Sequence, residues 1–189
     1  MPAQVEDDAS IRLRTRAICT NLTLLRHVRT ANPDAVLIYK PHPDVEVGLR
    51  PGSLSEARRW CDVIAAIHDP ISLINQVNEV WTMTSLLGFE ALVCGKSVTC
   101  LGLPFYSGWG LTRDRQEVPR RHARPDILGL IHACLIECPR YFDPVSRLPC
   151  PPEVVVQRLS VAANLPQPWY LRPLAKIKGS FASQAHLWR

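Results

Sequence analysis

The chain has 189 residues, 47% of them apolar and 21% charged, a size and balance that suit one α/β domain with a real core and hardly two. Its formal net charge of +5, from 22 Lys+Arg against 17 Asp+Glu, points to an anionic partner without naming one. A membrane span is excluded, because the longest apolar stretch, Ile127 to Cys138, is interrupted by His132 and falls well short of the roughly 20 residues a bilayer requires.

The opening, Gln4-Val5-Glu6-Asp7-Asp8-Ala9-Ser10-Ile11, sets adjacent carboxylates before a hydroxyl and an apolar-periodic stretch. That pattern fits a helix N-terminus whose acidic residues are favoured by the helix dipole, and it fits equally a site holding a nucleophilic carboxylate. The acidic start carries no apolar run of the signal-peptide kind. Periodicity predicts a helix over Arg12 to Arg29. The β-rich run Ala35 to Tyr39 then predicts a buried strand, cut off by Lys40-Pro41-His42-Pro43-Asp44. Two prolines bracket His42 and restrict where its imidazole points, and Lys40 beside it makes this strand end suited to a phosphate. The same residues also make an ordinary proline turn with an exposed histidine.

Further strands are predicted at Asp62 to Ile67, Glu79 to Met83 and Ser97 to Leu101. Between the last two, Leu86, Phe89 and Val93 recur at helical spacing over Ser85 to Cys94, with Gly95 as the stop signal. Thr84 and Ser85 lie where strand becomes helix, a place for an anion on free N–H groups or for plain N-capping. Glu90 is the sharper feature, since its helical neighbours Leu86, Leu87, Val93 and Cys94 are all apolar. A carboxylate so placed calls for ligand hydroxyls, or for a partner such as Lys96 or an arginine. The loop Gly102 to Arg115 sets Phe105, Tyr106 and Trp109 among glycines, fit either to stack on a sugar or base or to plug the domain edge. Helices are predicted over Asp126 to Cys138 and Glu153 to Ala163. Prolines at 166, 168 and 173 mark the end as a loosely packed extension, so the organisation expected is a domain over 1–164 and an extension over 165–189.

Strands separated by helices predict a parallel sheet of βαβ units, in which ligands sit on loops after the strands' carboxyl ends. The seven cysteines form no CxxC pair, and most have apolar sequence neighbours, as reduced thiols of a cytoplasmic core would. Cys134 and Cys138 are spaced to share a helix face, with His132 nearby, yet ligand count and spacing are wrong for zinc, so no metal is expected. Arginines gather at Arg12, Arg14, Arg16, Arg26 and Arg29 and again at Arg113, Arg115, Arg120, Arg121 and Arg124. They are not interleaved with stacking aromatics and no nucleic-acid motif accompanies them, which leaves solvated surface or a smaller anion and argues against nucleic acid.

Gln-Val-Glu-Asp-Asp-Ala-Ser-Ile, Tyr-Lys-Pro-His-Pro-Asp, Thr-Ser-Leu-Leu-Gly-Phe-Glu-Ala-Leu, Gly-Leu-Pro-Phe-Tyr-Ser-Gly-Trp-Gly-Leu-Thr and Pro-Arg-Tyr-Phe-Asp-Pro-Val follow one another in order. Together they resemble the capsule polysaccharide biosynthesis and export proteins of the KpsC type, retaining β-Kdo transferases, from about Ala3 to Leu159. The resemblance implies a Rossmann-like parallel sheet with flanking helices, one half of a GT-B glycosyltransferase. It implies CMP-Kdo as donor substrate, no further cofactor, and a phospholipid-linked glycan as acceptor at the membrane surface. It further implies a cytoplasmic setting, with room for peripheral association with the inner membrane and for other capsule assembly or export proteins as partners. On this likeness Lys40 and His42 contact the CMP phosphate, Thr84 and Ser85 close on the same anion, and Glu90 accepts bonds from the ribose. Tyr106 and Trp109 join the donor site, and Asp8, favoured over Asp7, is the nucleophile. Enzymes of this type carry a further N-terminal half before the opening motif, so the chain alone is expected to hold the donor and turn over poorly. A non-catalytic assembly or export factor, or an inactive fragment that keeps donor binding, is the alternative.

Overall fold

A computed structural model describes residues 1–15, 17–42 and 54–163. Arg16, the Pro43–Asp44 end of the first loop and the 165–189 extension lie outside the described residues. Two compact units divide the chain, Met1–Ile127 and a second beginning at Leu128.

In the first unit, α1 (Ala9–Arg14) and α2 (Asn21–Ala31) precede β1 (Ile38–Tyr39), a short α3 (Leu54–Ala57), β2 (Val63–Ile64) and α4 (Pro70–Gln76). Then come β3 (Glu79–Thr82), α5 (Leu86–Val93), β4 (Ser97–Cys100) and β5 (Arg113–Asp114). Every strand pairing is parallel: β1 with β2, and β3–β4–β5 in that order. The opening residues extend the first pair, with Pro2 bridged parallel to Lys40 and the Ala3 N–H donating to the Lys40 carbonyl at 2.8 Å. The expected α/β architecture of parallel strands with flanking helices is what forms.

The core explains the element order. Ile11 from α1, Leu24, Leu25 and Val28 from α2, Leu37 and Tyr39 around β1, and Trp81, Met83 and Leu101 around β3 and β4 form one buried apolar cluster. The single helix expected over Arg12 to Arg29 is instead two. Thr15 ends α1 with its hydroxyl on the Ile11 carbonyl, and Thr20 starts α2 through a reciprocal capping box with Thr23. Capping by these threonines competes successfully with continuing the helix. In α5 the buried face is Gly88, Phe89, Ala91 and Leu92, while Leu86 and Val93 of the expected stripe are exposed. Gly95 supplies the left-handed residue that ends it, at φ 71°.

The two basic clusters largely serve the fold. Arg29 pairs with Asp62 and also donates to the carbonyls of Trp60, Pro33 and Ala35. Arg121 is buried and donates to the carbonyls of Pro104 and Ser107, pinning the Gly102 to Arg115 loop from inside. Of the cysteines only Cys100 is buried, so the expectation of cysteines in the core holds for that one side chain; Cys19 and Cys138 are exposed. No group able to hold a metal ion occurs among the described residues, and no helix there is long and apolar enough to cross a membrane.

In the second unit, α6 (Ile127–His132, beginning one residue before the division) runs into a π-helical turn, Ala133–Glu137, and α7 spans Pro152–Ala163. Asp143 ties this unit together. Its carboxylate accepts from Arg158 Nε and Nη2 and from the N–H groups of Val145 and Ser146, which hold its pKa far below the ordinary carboxylate range.

Gly88 tests the packing of α5. A Cβ there would fall inside contact distance of the Tyr106 hydroxyl, 2.8 Å from Tyr106 Cζ and 3.0 Å from Thr82 Cγ2. Gly88→Ala is expected to destabilise the fold by about 1–3 kcal/mol in chemical denaturation, because a fully buried ring has nowhere to retreat.

Candidate functional site

Three chain segments meet at the carboxyl ends of β1 and β3. The first is the opening turn into α1, where Asp8 is the N-cap and its carboxylate accepts from the Ser10 N–H at 2.7 Å. The second is Lys40-Pro41-His42 after β1, with Lys40 Nζ donating to the Ala66 carbonyl at 2.5 Å. The third is Thr84-Ser85, where β3 turns into α5 and Ser85 caps the helix by accepting from the Leu87 N–H.

Between them lies an open cavity of about 470 Å³, within the range of small-molecule sites. Asp8, Ser10, Lys40, His42, Thr84, Ser85 and Glu90 all line it, with Pro41, Pro70, Leu86 and Leu87 as its apolar wall. Six of the eight side chains singled out from the sequence are thus brought together. Asp7 is exposed and does not line the cavity, whereas Asp8 does.

Tyr106 and Trp109 are not brought there, which corrects the expectation that they take part in a stacking wall. Tyr106 is fully buried, packs edge-on against Phe105 and beside Phe89, and donates its hydroxyl to the Ser85 carbonyl from behind. The Trp109 indole N–H donates to the Phe105 carbonyl, and Arg121 lies over its ring. Of the two readings of this loop, the edge plug is the one it adopts, because the Tyr106 hydroxyl and the Trp109 N–H are both spent on protein carbonyls, of Ser85 and Phe105.

The corner after β3 also differs from expectation in its donors. The Thr84 N–H donates to Gln4 Oε1 at 2.9 Å, the Ser85 N–H to the Thr82 hydroxyl at 3.1 Å, and the Leu87 N–H to Ser85 Oγ. These N–H groups are therefore committed to the protein, and an anion here is met chiefly by side chains. Gln4 is the residue the sequence did not flag. Its amide holds Thr84 from both ends, its carbonyl and N–H are gripped by the Asn21 side chain, and Asn21 is held in turn by Glu6. An N-terminal glutamine beside three acids carries no local signal of burial; only the 80-residue separation of its partners makes it structural.

Glu90 is half-buried on α5, and burial, with Asp69 nearby as a second cause, raises its pKa above the ordinary glutamate value. Among the described residues Lys96 makes no ion pair with it, and the Lys96 ammonium donates instead to the Asn75 carbonyl. Folding thus favours the protonated carboxyl. This contribution to stability is complete below the ordinary carboxylate range and is lost as pH rises through the folded value. Glu90→Gln is therefore expected to raise the melting temperature near neutral pH, with the difference from the parent closing toward about pH 4.

The profile of a family described as capsule polysaccharide biosynthesis protein matches residues 1–141. The capsule polysaccharide modification protein LipA of Neisseria meningitidis serogroup B is 47% identical over 167 residues, 87% of this chain and 24% of LipA. The lipopolysaccharide-processing protein LpsZ of Rhizobium meliloti is 47% identical over 140 residues, 73% of this chain and 32% of LpsZ. Among solved structures, the β-Kdo 2,7 transferase KpsC of Thermosulfurimonas dismutans superposes with a TM-score of 0.78 at 39% identity, covering 86% of this chain and 52% of that one. The β-Kdo 2,4 transferase KpsC of the same organism gives 0.70 at 32% identity, covering 84% and 50%. The chain thus spans about half of these transferase chains and a quarter to a third of LipA and LpsZ.

Proposed function

The chain belongs to the capsule polysaccharide biosynthesis protein family, and from that premise we propose that its cavity binds CMP-Kdo as the donor half of a GT-B transferase that transfers Kdo with retention to a phospholipid-linked capsule starter. The observation that carries this reading is the gathering of Asp8, Lys40, His42, Ser85 and Glu90 around one cavity of about 470 Å³. It is supported by the likeness to two chains described as β-Kdo transferases.

On this reading Lys40 and His42 meet the CMP phosphate, and the Ser85 hydroxyl, which accepts from the Leu87 N–H, donates to it. Thr84 serves the same anion indirectly, because its hydroxyl donates to Ser10. Glu90 accepts from ribose hydroxyls, which stabilises its charged form against the burial that otherwise disfavours it. Leu86, Leu87 and Pro70 offer apolar cover to the flat faces of the nucleotide. Two inversions give retention. Asp8 attacks the anomeric carbon and forms an ester to the sugar as the bond to the phosphate oxygen breaks, and CMP leaves with that electron pair. The acceptor hydroxyl then forms its bond to the anomeric carbon as the ester bond breaks, Asp8 leaves as the carboxylate, and the hydroxyl proton passes to solvent. Donors fixed on the phosphate stabilise the charge that develops on departing CMP. The acceptor lies at the membrane surface, which fits a cytoplasmic protein working peripherally to the inner membrane.

Calorimetric titration with CMP tests this. The parent is expected to bind, and His42→Ala to weaken binding by about tenfold to a hundredfold, as loss of a charge-assisted hydrogen bond would. No heat of CMP binding above the buffer control would sink the assignment. A separate outcome concerns Asp8: incubation with CMP-Kdo is expected to leave a sugar adduct on the peptide holding Asp8. Asp8→Asn should lose that adduct while keeping CMP affinity. An adduct mapped to Asp7 would reassign the nucleophile.

A further inference from the structure

The hydrogen bonds between the opening turn and the β3–α5 corner have a determined direction. A backbone N–H can only donate, so the Gln4 atom facing the Thr84 N–H at 2.9 Å is the amide oxygen, which also accepts from the Thr82 hydroxyl at 3.3 Å. The Gln4 nitrogen is then the atom on Thr84 Oγ1, at 2.9 Å, and it donates. Thr84 has one hydroxyl proton, and with its oxygen accepting from Gln4 that proton goes to Ser10 Oγ at 3.2 Å. Ser10 accepts it, and among the described residues no protein acceptor takes the proton of Ser10 itself. Ser10 is half-buried and lines the cavity next to Asp8. Gln4 is 7% exposed, and turning its side-chain amide over would set the NH2 group against the Thr84 N–H, so the sense of the relay is fixed.

We propose that Ser10 is a ligand-binding residue whose hydroxyl donates to an acceptor-only oxygen of the ligand, a phosphate or carboxylate oxygen, and that Gln4 is the positioning residue that aims this proton through Thr84. The proposal rests on the cavity's being the nucleotide-sugar site and names a recognition element that site uses. A hydroxyl free to rotate selects little; one that already accepts from Thr84, and whose proton has no protein acceptor among the described residues, offers that proton to the cavity. Its strongest partner is an anionic oxygen, since hydrogen bonds to charged acceptors outweigh those to neutral ones. CMP-Kdo carries two such groups, the phosphate and the sugar carboxylate, and the two ligands CMP and CMP-Kdo separate them.

The test is titration of the full chain with CMP and with CMP-Kdo. The variants are Ser10→Ala, Ser10→Thr, Gln4→Glu and the double variant Gln4→Glu/Ser10→Ala, each with its melting temperature recorded. Ser10→Ala is expected to weaken binding about tenfold, as loss of one hydrogen bond to a charged group does, while Ser10→Thr keeps it. A loss seen with CMP assigns the phosphate; a loss seen only with CMP-Kdo assigns the carboxylate. Gln4→Glu keeps the size of the side chain but presents acceptors only when ionised, so Thr84 turns its proton back and Ser10 turns away from the cavity. Its loss should match that of Ser10→Ala, and the double variant should be no worse than either single one, because both remove the same donor. Losses that add would overturn the positioning role of Gln4. Ser10→Ala binding both ligands as the parent does, while His42→Ala fails, would overturn Ser10 and leave the nucleotide reading standing. A parent that binds neither ligand overturns both. Should Gln4→Glu not fold, the Ser10→Ala and Ser10→Thr pair still decides whether the donor exists.

Discussion

The side-chain amide of Gln4 is the contact on which the rest of the site depends. It reaches across 80 residues of sequence to take the Thr84 N–H and hydroxyl together, while Asn21 fixes its backbone from the opposite side. Without that grip, the opening turn carrying Asp8 and Ser10 would be joined to the β3–α5 corner by packing and by the weaker Thr84–Ser10 hydroxyl bond at 3.2 Å. Apolar contacts tolerate sliding, whereas paired amide bonds of fixed donor and acceptor sense do not. Gln4 is nearly as buried as the core residues around it, and an unpaired amide there would be costly, so the register of the first strand segment and the form of the cavity are set together.

A second consequence concerns how the cavity handles charge. At a strand-to-helix corner an anion is usually met by exposed main-chain N–H groups. Here the N–H groups of Thr84, Ser85 and Leu87 have internal acceptors, and the polar lining of the cavity is made of hydroxyls, an imidazole, an ammonium, an amide and two carboxylates. Several of these side chains also hold the fold, Asp8 and Ser85 as helix caps and Lys40 on the Ala66 carbonyl. In the long glycine-rich loop the aromatics, the buried Arg121 and the carbonyls satisfy one another, and Tyr106 supports the Ser85 carbonyl from beneath the site.

The parallel α/β fold was legible because β1 to β4 fall on short β-rich runs and a stretch of helical spacing separates β3 from β4. Strand positions around Ile38, Val63, Glu79 and Ser97 agree with that reading. The strand Arg113–Asp114 was not legible, since its two residues are charged and its place is given by pairing with Thr99 and Cys100. Helix α4 could have been found: Asp69 accepts from the Ser72 N–H and Pro70 follows it, a cap and first-turn proline visible in the sequence. Asp8, Lys40, His42, Thr84, Ser85 and Glu90 could be singled out because each sits at a strand end or carries charge among apolar neighbours. Gln4, Asn21 and Ser10 could not, since what marks them is the far end of a long-range hydrogen bond. Tyr106 and Trp109 were misread because composition shows an aromatic loop and not which way its rings face.

Each strand in the first unit pairs parallel to its neighbour, so no pairing closes through a tight hairpin and every one spans a crossover. For a nascent chain leaving the ribosome this imposes an order. Residues 2–4 are made before β1, the strand on which they dock, and the Gln4 amide waits for Thr84. Until then the apolar faces of α1 and α2 stay uncovered, and such intervals are when long-range folds are exposed to chaperones and to aggregation.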